Sequence, residues 1–393
     1  MALINYAGFE FANNSYETGT LTGTAPGYDS TVKRSPGAAL KWTISAGTGG
    51  KYRYSATITA GAMNYLKFDF LVQVRPATYN VKIACWGSTG GNDTLILYLK
   101  PDGSIFLYNN VGSVTLYTTA VLPLNEWNQI VLGMKIVGGS NDDTGQLYIN
   151  GTQLYSSTTL NLGTAQNYWE INCQPQTADT VTILMDNVFV NDDQGATSLN
   201  GFPKDIVIGV IPAISDNARG ANWVAGAGGT TNLWDAVDNM PPVGVNNAGA
   251  TNTSQIKNTA SDTTGNYDAN VKTYLNYGID ANDVIVFARV LINKGCSTSL
   301  SCLAATQLVS NPADPGETSY ESSSGGAVGT WPAQWGFIRG TNVIDPSITL
   351  DVSPVARVGK RAATTRITWA DWLGVEVGYY TKQPGMTMLG CGV

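Results

Sequence analysis

The chain contains no histidine. That removes Ser-His-Asp and Cys-His nucleophile chemistry, imidazole-ligated zinc and any histidine-based pH switch. Charge is scarce as well. Asp, Glu, Lys and Arg make up 13% of the 393 residues, against about 25% in an average soluble protein. The five cysteines, Cys85, Cys173, Cys296, Cys302 and Cys391, form no Cys-x-x-Cys pair, so neither a zinc ribbon nor a dense disulfide framework is encoded. Free thiols in a reducing compartment are the expectation, with Cys296 and Cys302, on either side of a short Ser/Thr loop, able to pair. No apolar run approaches the roughly 20 residues of a membrane helix. The opening Met1-Ala-Leu-Ile-Asn-Tyr6 lacks the basic stretch followed by an apolar one that marks a secretory signal. The expectation is therefore synthesis in a cytoplasm without membrane insertion. The net charge of −7 repels phosphate backbones and anionic bilayers, so nucleic acid is not an expected partner.

What is present points to strands. Polarity comes from Thr, Ser and Asn together with 44 Gly and 19 Tyr, a composition of turns and pleated surfaces rather than of helices. The length suits about two domains. Up to about residue 193, short alternating segments dominate. Lys67-Phe-Asp-Phe-Leu-Val-Gln-Val74 is one. Thr94–Lys100 and Ser104–Tyr108 flank Pro101-Asp-Gly103 as a hairpin, and Gln146–Asn150 and Thr152–Tyr155 flank Asn150-Gly151 as another. Gln129–Val137, Thr180–Asp186 and Asn187–Asn191 add further strands. Many short strands with turn chemistry between them predict an all-β, two-sheet sandwich. The polar stretch 194–204, with Gly and Pro, predicts a linker between a domain at 1–193 and a second, β-rich and loop-rich domain at 205–380, followed by a tail at 381–393. In the second part Asp205–Pro212, Asp283–Asn293, Thr365–Trp369 and Leu373–Tyr380 read as strands, and Ala260–Tyr277 as a short helix.

Trp127 opens a strand, with its ring able to plug a sandwich end, some twenty residues before the strand that ends in Asn150-Gly151. With the opening Gly8-Phe-Glu-Phe11 and the closing Met185–Asp192, this pattern resembles the laminin-G/concanavalin-A-like jelly roll. The later order is similar to a group of tailed-bacteriophage virion proteins. It runs through Asn191-Asp-Asp, Asp205-Ile-Val-Ile, Asp216 and Trp223, Val237-Asp238-Asn-Met-Pro-Pro242, Asp283–Arg289 and Ile367–Val377. This chain departs from that group in the longer, Trp- and Gly-rich stretch 296–344 and in its tail. The resemblance implies a non-enzymatic structural subunit of a phage particle, such as an appendage, capsid decoration or tail-associated protein. It would be located in the virion, in contact with other virion proteins and with copies of itself.

The jelly-roll likeness leaves open a carbohydrate-binding module for host-surface glycan. Glucanases of that fold carry Glu-x-Asp-x-Glu on one strand. The glutamates here, at 10, 17, 126, 170, 317, 321 and 376, form no such motif, so no catalytic residue is expected. Saccharide binding would use aromatic platforms with a few polar partners. Trp86, Tyr98, Tyr108, Tyr155, Tyr168 and Trp169 are available, unless they fill the core. The candidate ligand-binding residues are Trp86, Asp93, Asn141 and Asp142. No cofactor is expected other than a structural calcium ion, for which Asp93 and Asn141-Asp142-Asp143 are the oxygen clusters on offer.

Overall fold

The computed structural model describes residues 3–7, 20–45, 49–55, 61–88, 92–138, 141–163, 167–175, 179–193, 203, 205–220, 222–225, 232–238, 256–258, 265–279, 282–296, 302–308, 317–321, 335–339, 354–360 and 368–381. The chain divides into two compact units, Met1–Val207 and Ile208–Val393.

The first unit is a jelly-roll sandwich. Its strands are β1 (Leu3–Ala7), β2 (Thr20–Gly23), β3 (Gly27–Asp29), β4 (Ala39–Ile44), β5 (Gly50–Ser55), β6 (Asn64–Val74), β7 (Val81–Gly87) and β8 (Asp93–Leu99). They continue with β9 (Ser104–Asn109), β10 (Val114–Val121), β11 (Asn128–Lys135), β12 (Asp143–Ile149), β13 (Thr152–Leu160), β14 (Tyr168–Pro175) and β15 (Val181–Asp192). One sheet runs β13-β12-β11-β6-β15-β4-β3, with β1 added against β15, and the other runs β10-β9-β8-β7-β14-β5-β2.

Strand alternation builds the core. In β6, Leu66, Phe68, Phe70 and Val72 face inward, while Lys67 and Asp69 point the other way. Opposite them the second sheet contributes Tyr52, Tyr54, Trp86, Leu95, Leu97, Trp169 and Ile171. The Tyr54 and Trp169 rings stack 4.0 Å apart. Each such side chain, fully buried, stabilises by roughly 1.5–3 kcal/mol.

The turns follow the sequence. Asn150 (φ 50°) and Gly151 (φ 77°) both adopt the left-handed conformation that a two-residue hairpin needs. Thr180–Asp186 and Asn187–Asn191, expected as two strands, form the single strand β15. Asn187, at φ 47°, makes a bulge there, so that Met185 and Val188 both reach the core although they are three residues apart. The Trp127 ring is half-buried on the outward side of the first sheet, against Ala39, Leu71 and Leu184.

The first unit extends beyond the expected boundary at 193 because residues 205 and 206 lie on the outward side of β6. The buried Lys67 ammonium donates to the carbonyls of Ile206 (3.1 Å) and Asn187 (3.4 Å) and pairs with Asp69 at 3.1 Å. Asp205 takes a salt bridge from Arg34 (3.0 Å) and a hydrogen bond from Gln129 (3.0 Å). Asp186, opposite Asp69 in the β6–β15 register, accepts from the amides of Arg34, Ser35 and Asn187 and from the Ser35 hydroxyl. Burial outweighs those donors and the Asp69 charge adds to it, so the Asp186 carboxyl is pushed up to about 7. Burial raises Asp69 too, against the lowering effect of Lys67.

The second unit contains β16 (Val207–Arg219), β17 (Trp223–Ala225), β18 (Ile256–Asn258), β19 (Asn266–Val271), β20 (Asp283–Cys296), β21 (Cys302–Leu308), β22 (Glu317–Glu321), β23 (Trp335–Arg339), β24 (Val355–Lys360) and β25 (Thr368–Thr381). They form a sheet ordered β17-β18-β25-β16-β19-β24-β21-β22, with β20 on β25 and β23 on β20. Of the helix expected over Ala260–Tyr277, the described part, residues 265–277, is strand over Asn266–Val271. Tyr267, Ala269 and Val271 alternate into the core as β19, and only α1 (Tyr274–Tyr277) is helical, its first turn capped by Thr273. Thr368 and Trp369, the described end of the expected strand Thr365–Trp369, join Leu373–Tyr380 in the single strand β25. Asp216, singled out in the sequence, is a brace. It accepts from the amides of Leu233 and Trp234 at the start of a short 3-10 helix and from the Tyr267 hydroxyl at 2.6 Å. Trp223 is fully buried and donates to the Gly265 carbonyl at 3.0 Å.

Candidate functional site

The outward face of the seven-stranded sheet carries a row of chemically active side chains. Strand parity places them there. Where Tyr52, Tyr54, Trp169 and Ile171 point into the core, Lys51, Arg53, Tyr168, Glu170 and Asn172 point out. Register then aligns the outward residues across strands. Arg53 stands opposite Glu170, Glu170 opposite Cys85, Cys85 opposite Ile96 and Ile96 opposite Tyr108. A flanking row runs Lys82, Tyr98, Phe106.

Glu170 is the buried centre of the cluster. Lys51 reaches it at 3.1 Å, Lys82 at 3.6 Å, and the Arg53 Nε donates to the same oxygen as Lys51. Asp93 takes the Lys82 ammonium at 2.8 Å and the Tyr168 hydroxyl at 2.8 Å. The Cys85 sulfur lies 3.3 Å from Asp93 and 3.5 Å from Glu170, so one thiol proton serves two carboxylates. Gly87 makes this geometry accessible. It pairs with Tyr168, and a Cβ there would stand 2.2 Å from the Tyr168 ring. Without that atom the phenol lies across β7 and reaches Asp93. The Arg53 guanidinium covers the other side of the ring, 3.9 Å from its centroid.

The electrostatics follow from these contacts. Burial alone would raise Asp93, but the Lys82 charge and the hydrogen bonds from Lys82, Tyr168 and Cys85 hold it below the usual carboxylate range. Burial, then the bond to Asp93, pushes the Tyr168 phenol well up. Burial also raises the Cys85 thiol, which stays protonated and is no nucleophile at neutral pH. Beside the charges, Tyr98 stacks on Phe106 at 4.9 Å and meets Tyr108 edge-on at 6.2 Å, all three half-buried.

Of the residues expected from the sequence, Asp93 belongs to this cluster. Trp86 does not. It is fully buried on the inward face and its indole donates to the Leu132 carbonyl at 3.4 Å, because a residue adjacent to the outward Cys85 must point inward. Asn141 and Asp142 are exposed on the turn before β12, in the other sheet. The neighbouring Asp143 carboxylate is taken up by the amides of Val137 (2.9 Å) and Leu162 (2.7 Å), which leaves a braced turn rather than a cage for a hard cation. Cys85, Asp93 and Glu170 each offer a ligand atom within 4.8 Å of the others. The Lys82 ammonium already provides the compensating charge there, and the mixed sulfur and oxygen set does not suit calcium. Cys85 and Cys173 are buried free thiols, while the Cys296–Cys302 pairing lies outside the described side chains.

Sequence reasoning passed over Lys51, Arg53, Lys82, Glu170 and Asn172 as site residues. The available signal was polar residues at period two, Lys51-x-Arg53 and Tyr168-x-Glu170-x-Asn172, within otherwise apolar strands.

No family model matches the chain, and no curated protein does. Among solved structures, it is similar to a sialidase at 11% identity and a TM-score of 0.35, over 48% of this chain and 18% of that one. The chain thus spans under a fifth of that protein's length. The alginate lyase AlgAT5 from polysaccharide lyase family 7 is 10% identical at a TM-score of 0.32, over 40% of this chain and 79% of that one. The cellulose-induced protein Cip1 is 14% identical at a TM-score of 0.33, over 48% and 90%. Likenesses of this size say nothing about activity.

Proposed function

We propose that the first unit is a saccharide-binding jelly roll whose contact surface is the outward face of the seven-stranded sheet. The observation that carries this reading is the juxtaposition on that face of the Tyr98, Phe106 and Tyr108 rings with the Lys51, Arg53, Lys82, Asp93, Glu170 group. Rings supply the platform for a sugar face, and positioned charges supply the hydrogen bonds that select it. Binding fits better than hydrolysis. A glycosidase needs one carboxyl raised into an acid role, whereas the Asp93 carboxyl is held below the usual carboxylate range. Trp42, Trp86 and Trp169 are in the core and Trp127 lies on the other sheet, away from this face, so the test is calorimetry rather than indole fluorescence. Titration of the full chain with a panel of bacterial surface oligosaccharides should show binding that Tyr98→Ala weakens at least tenfold. A panel-wide absence of heat and of retention would overturn the reading.

The virion setting implied by the motif order is a second reading, and one observation favours it. Among the described residues, on one side of the sandwich both sheets end in long strands without a single charged residue, β10 (Val114–Val121) and β13 (Thr152–Leu160), linked through Tyr117 and Tyr155 at 6.2 Å. The opposite edges, β2 and β3, have only four and three residues. Long uncharged edges invite strand pairing that monomeric proteins guard against. We infer a subunit that assembles with its own copies within a particle. Sedimentation should show an oligomer that Thr118→Lys with Ser156→Lys dissolves, and antibody should label purified phage particles. A monomer at high concentration, together with unlabelled particles, would overturn it.

A further inference from the structure

Resting on the saccharide reading above, we propose that the face selects an anionic sugar, one bearing a carboxylate or a sulfate ester, and that Arg53 receives the anion. Three features converge on this residue. Its Nε is bonded to the buried Glu170 and its central carbon sits over the Tyr168 ring, 3.9 Å from the centroid, so the guanidinium is held at two points. Its two terminal nitrogens have no protein partner among the described residues, and the side chain is 31% exposed. A guanidinium fixed at its inner edge and open at its outer edge is a preorganised fork for a planar or tetrahedral oxyanion.

The local charge has the matching sign. Lys51, Arg53 and Lys82 set three positive charges against the two of Asp93 and Glu170, a cationic spot on a chain of net charge −7. The independent observation is Asn172. It shares the outward side of β14 with Glu170 and stands opposite Lys51. Its side chain is fully buried, yet neither its amide nitrogen nor its oxygen has a partner among the described residues. Buried amides are rarely left so. A sugar hydroxyl or the anion beside Lys51 would satisfy it.

Calorimetry on the full chain tests this with three probes: oligogalacturonate, its methyl ester, and a sulfated galactan oligosaccharide. The acid or the sulfate should bind at least tenfold tighter than the ester, with an affinity that falls as salt rises. The sulfate and acid arms separate the two anion sources. Arg53→Gln should bring the preferred anion and the ester to parity. Arg53→Lys keeps the charge but loses the fork and should lose most of the preference, so the proposal stays testable if Arg53→Gln unfolds. Asn172→Leu should weaken the anion several-fold. Equal affinity for an anion and the ester in the unaltered chain would overturn the anionic assignment and leave saccharide binding standing. Binding to none of the probes, with binding to neutral oligosaccharides, would overturn it as well. Binding to no saccharide at all would overturn both readings.

Discussion

Two polar clusters sit on opposite outer sides of the same sandwich and are built from the same parts. On the eight-stranded sheet, Lys67, Asp69 and Asp186 are sealed. Main-chain amides of residues 34 and 35 and the carbonyl of Ile206 close over them, and Lys67 has no exposed surface. On the seven-stranded sheet, the partners of Glu170 and Asp93 among the described residues are side chains, and Arg53, Lys51, Lys82 and Asp93 remain 12–31% exposed. In the sealed cluster the backbone itself is a ligand of the charges, so the cluster holds the chain in place. In the open one the covering groups end in donors that face solvent, so the cluster is able to take a partner. The same buried ion pair is a fastener or a receptor according to what lies over it.

The sharpest way to break the comparison is Lys67→Met. It leaves Asp69 buried without its ammonium and frees the Ile206 carbonyl, and should cost about 3–5 kcal/mol in chemical denaturation. Glu170→Gln should cost less, about 1–3 kcal/mol, because Lys82 keeps Asp93 and water can reach Lys51 and Arg53. If it costs more than Lys67→Met, the distinction between sealed and open fails.

Gly87→Ala acts on the open face alone. Its methyl displaces the Tyr168 ring from Asp93. A loss of about 1–2 kcal/mol in thermal unfolding is expected, together with weaker saccharide binding. The smallest effect is one of pH. Asp186 is raised in the folded state from 3.8 to about 7, so the fold holds a proton that the unfolded chain has released. That stabilisation is complete below the unfolded value and is lost as pH rises through about 7. Asp179, whose carboxylate accepts from the amides of Ala77, Thr78, Tyr79 and Thr180, is lowered to about 2. It contributes in the opposite sense, with stability present above 3.8 and lost as pH falls towards 2. Melting temperatures from pH 4 to 8 should flatten in Asp186→Asn, and an unchanged slope would contradict the assignment.

The sandwich was legible in the sequence because alternation and turn chemistry are local. Pro101-Asp-Gly103 and Asn150-Gly151 mark their hairpins without any knowledge of neighbours. Where local rules broke down, a tertiary partner had intervened. The bulge at Asn187 joined two expected strands, and pairing with β16 and β24 drew Asn266–Val271 into a sheet instead of a helix. The candidate site was less legible. Of the loop residues that the sequence offers as ligand contacts, Asp93 lies in the charged cluster and Trp86 in the core, and the partners Arg53, Lys82 and Glu170 lie up to 117 residues apart.

The sequence by itself determined an all-β chain with turns at set places and no histidine chemistry, since these depend on composition and on neighbours along the chain. Only the tertiary structure decided which carboxylates meet which cations and which of the two clusters stays open. Those outcomes depend on strand register. A shift of one residue exchanges the two faces of a strand, and no stretch of sequence carries the register of its partner strand.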